Sequence, residues 1–279
     1  MTVLLPKNLA EATAMLADNT SATLLSGGTD LMVEINFNHR KPESVIALRR
    51  VEELHNWNIN EKDGSVFIGA SVPYKMMESG PLADAVPALA QAARTVGSPQ
   101  IRAAGSIGGN LGTCSPAGDS LPVLSALDAT VHVQSIRGSR QIQFAEFMVG
   151  PKRNSRASDE IITGVTLPIC RGRQGYSKVG VRNAMVISVA SACFAVQDDT
   201  ARIALGSVGP VIIRCLEAEK YLNSFLVTGS SITEEIATEF GQLVSNESRP
   251  IDDHRSTAAY RRHAVGVLAK RLALRGKLS

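Results

Sequence analysis

Gly105-Ser106-Ile107-Gly108-Gly109-Asn110-Leu111-Gly112 carries four glycines in eight residues, and Ser26-Gly27-Gly28-Thr29-Asp30 sets another Gly-Gly pair directly after the β-prone run Thr23-Leu24-Leu25. A Gly-Gly pair has two readings. One is a tight turn that needs positive φ; the other is a backbone that approaches a ligand closely and aims its N–H groups at an anion. A single such loop reads as a turn. Two of them, with Ser106, Asn110 and Thr113 as neutral donors, favour the anion. Neither contains G-x-x-x-x-G-K-[ST] or G-x-G-x-x-G, which removes the P-loop and the Rossmann dinucleotide site. What remains is a grip on a diphosphate from two sides by amides and hydroxyls, several of which can share its charge.

Beyond the second loop, Cys114-Ser115-Pro116-Ala117-Gly118-Asp119-Ser120-Leu121-Pro122 is polar and turn-rich. A loop aspartate such as Asp119 is ordinarily a turn or cap residue. In a dinucleotide site it can instead accept from ribose hydroxyls or an adenine amino group.

Working outward, Asn8-Leu9-Ala10-Glu11 resembles a capping box opening a helix through Leu16. Ser44 to Leu48, Ser65 to Gly69 and Ile161 to Leu167 read as strands, and Pro81 to Val96 as one Ala-rich helix. Thr130 to Ser135 and Gln141 to Phe144 suggest a hairpin closed around Arg137-Gly138-Ser139. Cys170-Arg171-Gly172-Arg173-Gln174-Gly175 is the best boundary. After it come β-prone runs, Met185 to Val196 and Arg202 to Val208. Three helical stretches follow, near Arg214 to Leu222, Thr233 to Val244 and Thr257 to Leu274. The class expected is α+β.

The 279 residues suffice for one large domain and a smaller one. A net charge of +3 is too small to point to nucleic acid, and the basic end Lys270, Arg271, Arg275 and Lys277 reads as a solvated helix face. The start lacks a basic leader with an apolar core, and the longest apolar run, Met185 to Val196, is broken by Ser188 and Ser191; neither a signal peptide nor a membrane span is expected. Cys114, Cys170, Cys193 and Cys215 are widely spaced, against a disulfide framework, a zinc site or an iron–sulfur cluster held by this chain alone. His39, His55, His132, His254 and His263 show no metal spacing. A cytoplasmic protein is expected.

The segments Leu25-Ser26-Gly27-Gly28-Thr29-Asp30-Leu31, Gln100-Ile101-Arg102 into Ser106-Ile107-Gly108-Gly109-Asn110, and Ser115-Pro116 with Asp119 and Pro122 resemble, in order, the FAD-binding subunit of molybdenum hydroxylases, as in carbon monoxide and xanthine dehydrogenases. Further along, Asp159-Glu160-Ile161-Ile162 before Leu167-Pro168, Tyr176 to Arg182, and Asp252 with Arg255 through Tyr260-Arg261-Arg262 continue the resemblance over nearly the full length. It implies a vanillyl-alcohol-oxidase or PCMH-type FAD domain at 1–170, in lobes of about 1–55 and 56–170. A smaller α+β C-terminal domain of the carbon monoxide dehydrogenase flavoprotein type would follow at 175–279. By the same resemblance, Leu24 to Leu31 would wrap the FAD diphosphate and Ser106 to Asn110 would grip it from the second side. Asp119 would hold the ribose or adenine end, Ile162 would sit near adenine or flavin, and Thr113 would bond the flavin edge. Lys178, by itself a strand lysine like any other, would reach the isoalloxazine.

Two departures stand out. Val96 occupies a position where xanthine dehydrogenase offers an aromatic to the adenine. Phe147-Met148-Val149-Gly150-Pro151-Lys152-Arg153 keeps only part of the family's aromatic, Thr-bearing loop.

The function so implied is electron transfer: FAD on this chain, fed by a small subunit with two [2Fe-2S] clusters, and a large molybdopterin subunit that oxidises the substrate, the whole a dimer of heterotrimers. No catalytic residue and no metal ligand is assigned to this chain. Two other readings stay open. One is a stand-alone FAD-dependent reductase of the UDP-N-acetylenolpyruvoylglucosamine reductase type; the other is an assembly module that has lost its flavin. Neither the oxidised substrate nor the acceptor (NAD, quinone or oxygen) is legible in the chain.

Overall fold

The computed structural model describes residues 1–275. Three short parallel strands open the chain, in the order Thr2–Leu4, Ser44–Ala47, Thr23–Leu25. The helix Leu9–Asp18 lies between the first and last of these. Its cap follows the sequence pattern in a variant form. Asn8 Oδ1 accepts from the Glu11 amide at 2.8 Å, while the Glu11 carboxylate reaches past Asn8 to the Lys7 amide, also at 2.8 Å.

A five-stranded antiparallel sheet follows, in the order Trp57–Asn60, Ser65–Gly69, Ile161–Pro168, Thr130–Ser135, Gly138–Gln143. The hairpin turns one residue earlier than its sequence suggests: Ser135 pairs with Gly138, leaving Ile136-Arg137 as the two-residue turn. Phe144 leaves the strand and begins the short helix Phe144–Phe147.

The single helix expected over Pro81 to Val96 is two, Pro81–Ala85 and Pro87–Thr95. The cause is Pro87. Its ring disfavours helical backbone at the preceding residue, and Val86 sits at φ −135°, ψ 72°. Pro87 then serves as the first residue of the second helix, where its missing N–H costs nothing.

After Cys170 the chain forms a meander, Gln174–Val179, Ala190–Gln197, Thr200–Gly206 and Ile213–Arg214, each strand antiparallel to the next. The β-prone run from Met185 does not start a strand until Ala190, because Met185 has φ +50° and the intervening residues form a loop. Three helices close the fold, Leu216–Leu226, Glu234–Glu247 and Ala258–Leu274.

This second sheet is covered on both faces, which explains why its central strand is apolar without alternation. Ala192, Phe194, Ile203 and Leu205 pack against the three closing helices, with Phe194 edge-on to Phe240 at 5.8 Å. Tyr176, Cys193, Ala195 and Ala204 point the other way and join the core of the first 170 residues. Arg261, 3% exposed, fastens the last helix to the ends of two strands through the Val189 and Ser207 carbonyls and the Asp253 carboxylate.

Lys270 pairs with Glu234 rather than standing free, and Lys277 lies outside the described residues. All four cysteines are free and buried. Among the described residues no His, Cys, Asp and Glu gather to hold a metal, and no helix is long and apolar enough to cross a membrane.

Candidate functional site

Strand Thr23–Leu25 ends where its chain must turn sharply over the next helix. Gly28 takes φ +74°, a left-handed conformation that costs glycine little. Gly27 answers a different need. A Cβ there would stand 1.8 Å from the Ala104 carbonyl oxygen, so only glycine lets the two loops meet. Helix Leu31–Asn36 follows, and its cap residue Asp30 makes no side-chain cap. Among the described residues nothing accepts from the N–H groups of Gly27, Gly28, Thr29 or Asp30. Four successive amides are therefore open.

The second loop has a different construction. It is the start of helix Ile107–Thr113, capped by its own Ser106, whose Oγ accepts from the Gly109 amide at 3.1 Å. The Gly108 amide donates to Ala70 O at 2.9 Å, and the Asn110 amide to Ser106 O at 3.1 Å. A Cβ on Gly108 would stand 2.4 Å from that of Ala70. The sequence suggested amides free to grip from this side; most are spent within the protein, because a capped helix satisfies them first. A bond of 2.8 Å between the Ser26 and Ser106 hydroxyls stitches the loops together.

Between them opens a cavity of about 460 Å³. Leu24, Leu25, Ser26, Gly27, Gly28, Thr29, Asp30 and Leu31 line it from the first side, and Ser106, Gly108, Gly109, Asn110 and Thr113 from the second. Ile162 lines it as well, as does Val96, the residue standing in place of an aromatic. Thr113 Oγ1 donates to Asp30 at 3.3 Å, so this hydroxyl is engaged across the cavity.

Three expected residues lie elsewhere. Ile107 is fully buried, its side chain in the core behind the helix. Asp119 and Lys178 are absent from the lining and bonded to each other at 2.6 Å, both side chains 8% exposed. Asp119, expected at a nucleotide, and Lys178, expected at the isoalloxazine, are here engaged with each other and with their neighbours. The physical reason is burial: a charge out of water needs its partners close. Lys178 Nζ donates to Asp119, to Thr95 O at 2.8 Å and to Val186 O at 3.1 Å, which uses all three of its protons. Asp119 also accepts from Tyr176 at 2.8 Å and Thr95 at 3.4 Å. Burial pushes the Asp119 carboxyl up while Lys178, Tyr176 and Thr95 pull it down.

Several lining residues escaped the sequence reading. Ala70, Ser71 and Tyr74 come from the segment after Ser65–Gly69, and Ser71 Oγ is buried without a partner among the described residues. Glu34, Arg40, Lys152 and Arg156 set charge at the cavity, and Lys152 Nζ meets Glu34 at 2.6 Å across it. Ile187 arrives from the loop that Lys178 holds through Val186. The one local signal was Gly150-Pro151-Lys152, a turn that places Lys152 at φ +55°. The rest lack any motif. Cys114 ends the loop helix, and burial lifts its thiol to about 11, away from the thiolate form.

Residues 1–170 match the family model described as FAD binding domain in molybdopterin dehydrogenase, and residues 176–275 that of the CO dehydrogenase flavoprotein C-terminal domain. The nicotinate dehydrogenase FAD-subunit of Eubacterium barkeri is 32% identical over 281 aligned positions, covering 96% of this chain and 93% of the relative. The carbon monoxide dehydrogenase medium chain of Hydrogenophaga pseudoflava is 26% identical, over 95% and 93%. A solved structure of carbon monoxide dehydrogenase from that organism superposes with TM-score 0.90 over 99% of this chain and 96% of its own, at 26% identity.

Proposed function

Because this chain belongs to the FAD-binding family of molybdopterin dehydrogenases, we propose that it is the FAD-carrying electron-transfer subunit of a molybdenum hydroxylase complex. A small partner with two [2Fe-2S] clusters delivers the electrons, a large molybdopterin partner takes them from the substrate, and an external acceptor receives them. The complex is a dimer of such heterotrimers, in the cytoplasm, where four buried free thiols are at home.

The observation that carries this reading is the run of open amides from Gly27 to Asp30 in the lining of a cavity of about 460 Å³. Successive free N–H groups form an anion-binding concavity of the kind a diphosphate occupies. The fit extends further. Gly27 and Gly108 supply the close approach, and Ser71 Oγ is a buried hydroxyl awaiting a partner. FAD, when bound, supplies the one- and two-electron chemistry that joins clusters to a two-electron acceptor.

The chain's own residues bind and enclose it. Gly27 to Asp30 hold the diphosphate, while Ser106 to Asn110 form the opposite wall. Residues 1–170 make the two lobes of the site, about 1–55 and 56–170. The domain from 175 onward lends Ile187, set in place by the bond from Lys178 to Val186. Asp119 and Lys178 act behind the wall, anchoring the second domain to helix Pro87–Thr95.

The test is purification of the complex from its native host, with flavin, iron and molybdenum quantified. One FAD per chain, with molybdenum and iron in the same complex, is the expected result. Complexes of this chain free of molybdenum and iron overturn the assignment, as does robust NADPH-dependent turnover by the isolated chain.

A further inference from the structure

Asn110 lines the cavity, and its side-chain amide has one partner among the described residues, Ser120 Oγ, 2.7 Å from Oδ1. Ser120 is fully buried and also lies 3.2 Å from the hydroxyl of Tyr74, itself 3% exposed. These three residues form a chain whose direction follows from counting protons.

Burial pushes the Tyr74 phenol well above its ordinary range, so Tyr74 keeps its proton and must place it. The only acceptor it has among the described residues is Ser120 Oγ. Ser120 in turn must place its own proton, and Asn110 Oδ1 is there to accept it. If the amide were turned the other way, its NH2 would meet Ser120. Either the Tyr74 proton or the Ser120 proton would then be buried without an acceptor, a costly arrangement. The chain therefore runs Tyr74 to Ser120 to the Asn110 carbonyl. The Asn110 NH2 is left without a partner among the described residues.

Gly118 completes the arrangement. A Cβ there would stand 2.7 Å from Asn110 Nδ2 and 2.8 Å from Oδ1, so only glycine lets the amide pack this closely on the backbone at 118. On the neighbouring residue, a Cβ at Gly109 would stand 3.9 Å from that of Ser26, which puts this turn opposite the loop with the open amides.

We propose that Tyr74 and Ser120 are positioning residues that lock the Asn110 amide so that its NH2 donates to an acceptor oxygen of the bound dinucleotide. The inference rests on the reading of this cavity as an FAD site and assigns work to the buried hydroxyls of Tyr74 and Ser120, acting through Asn110.

The experiment uses the full-length chain freed of flavin and titrated with FAD, with flavin fluorescence as the readout. Variants are Tyr74→Phe, Ser120→Ala, Asn110→Ala and the double variant Tyr74→Phe/Asn110→Ala. Losing one oriented hydrogen bond corresponds to about a tenfold weaker Kd, about 1.4 kcal/mol. Tyr74→Phe and Ser120→Ala are each expected to lose up to about that factor, and Asn110→Ala about tenfold. In the Asn110→Ala background, Tyr74→Phe is expected to add nothing, since it acts only through the amide. Asn110→Asp is expected to lose more than Asn110→Ala, because Ser120 and the cavity would share a carboxylate where a donor stood. Should Tyr74→Phe fail to fold, Ser120→Ala in both backgrounds gives the same comparison.

The relay is overturned if Tyr74→Phe or Ser120→Ala leaves Kd unchanged, or weakens it by the same factor with and without Asn110. Those outcomes require wild-type chain that binds FAD. Wild-type chain that takes up no FAD defeats the cofactor reading, and the relay with it.

Discussion

Ser26–Asp30 and Ser106–Asn110 each bring a Gly-Gly pair to the same cavity, yet their amides have opposite fates. In the first loop four N–H groups have no acceptor among the described residues; in the second, Gly108, Gly109 and Asn110 all donate within the protein. The same composition has been used once for a ligand and once for a wall. Gly27 and Gly108 show the shared part, since each allows a backbone approach that a methyl group would block. Gly28 shows the difference, for a Cβ there would meet only side-chain atoms, at 3.3 and 3.4 Å, and glycine is needed for its φ of +74°. The wall is continuous with a buried polar network. It runs from Asn110 through Ser120 and its neighbour Asp119 to Tyr176 and Lys178 of the second domain. The first loop has no such backing.

The sharpest way to break the stiff half is at its far end. Lys178→Met removes the ammonium that Asp119, Thr95 and Val186 share, and leaves a carboxylate buried without its counter-ion. Losing one member of a buried pair costs about 3–5 kcal/mol. Denaturant unfolding of the flavin-free chain should show a loss of that order. A cost under about 1 kcal/mol would mean that the pair is not the anchor described here.

Closer to the cavity, Gly108→Ala drives a methyl group against Ala70, and backbone must move to admit it. Overpacking of this kind costs about 1–3 kcal/mol. Because the clash lies within the protein, the cost appears in the flavin-free state, as a lowered melting temperature before any ligand is added. A Gly108→Ala chain that melts normally and only binds FAD less well would show the second loop to be ligand contact rather than scaffold.

The first loop should behave in reverse. Gly28→Ala forces an L-residue into a left-handed conformation at about 1–2 kcal/mol, with neighbours no closer than 3.3 Å. Relief comes by flattening the turn, which turns its amides away from the cavity. The expected phenotype is weakened FAD binding out of proportion to the loss of stability. Equal losses in both measurements would erase the distinction between the loops.

How much of this was readable in the chain follows from which features are local. A glycine turn is a property of a few adjacent residues, so both loops, the cap at Asn8 and the boundary near Cys170 stand out in the sequence. The Pro87 break was legible too, but the Ala-rich run masked it. Asp119 and Lys178 were singled out separately, for opposite ends of the cofactor, and what could not be read was that they face each other. That depends on how the second sheet packs on helix Pro87–Thr95, a contact between segments far apart in the chain. Tyr74 and Ser120 carry no motif of their own, and the turn at Gly150-Pro151-Lys152 does not tell what Lys152 meets. Their roles come from which side chain each one meets, and sequence spacing holds no record of that.

Glu34 and Lys152 offer the gentlest test, because their bond crosses the cavity mouth from the first loop's helix to the second lobe at 2.6 Å. Lys152 is 57% exposed, so water and salt screen the pair, and Glu34→Gln should cost only about 0.2–1 kcal/mol. Its pH signature is definite. The bond to Lys152 holds the Glu34 carboxyl below its ordinary 4.5, so its contribution is present above pH 4.5 and disappears as pH falls through the lower folded value. The bond to Glu34 holds Lys152 above its ordinary 10.5, so that contribution is present below pH 10.5 and disappears as pH rises through the folded value. Between those limits the strut tethers the loop with open amides to the stiff half. The rate of FAD release from wild-type chain should therefore rise with ionic strength across that window, while Glu34→Gln releases faster at low salt and responds less to added salt. Release rates equally salt-dependent in both proteins would show that the strut plays no part in holding the two sides of the cavity together.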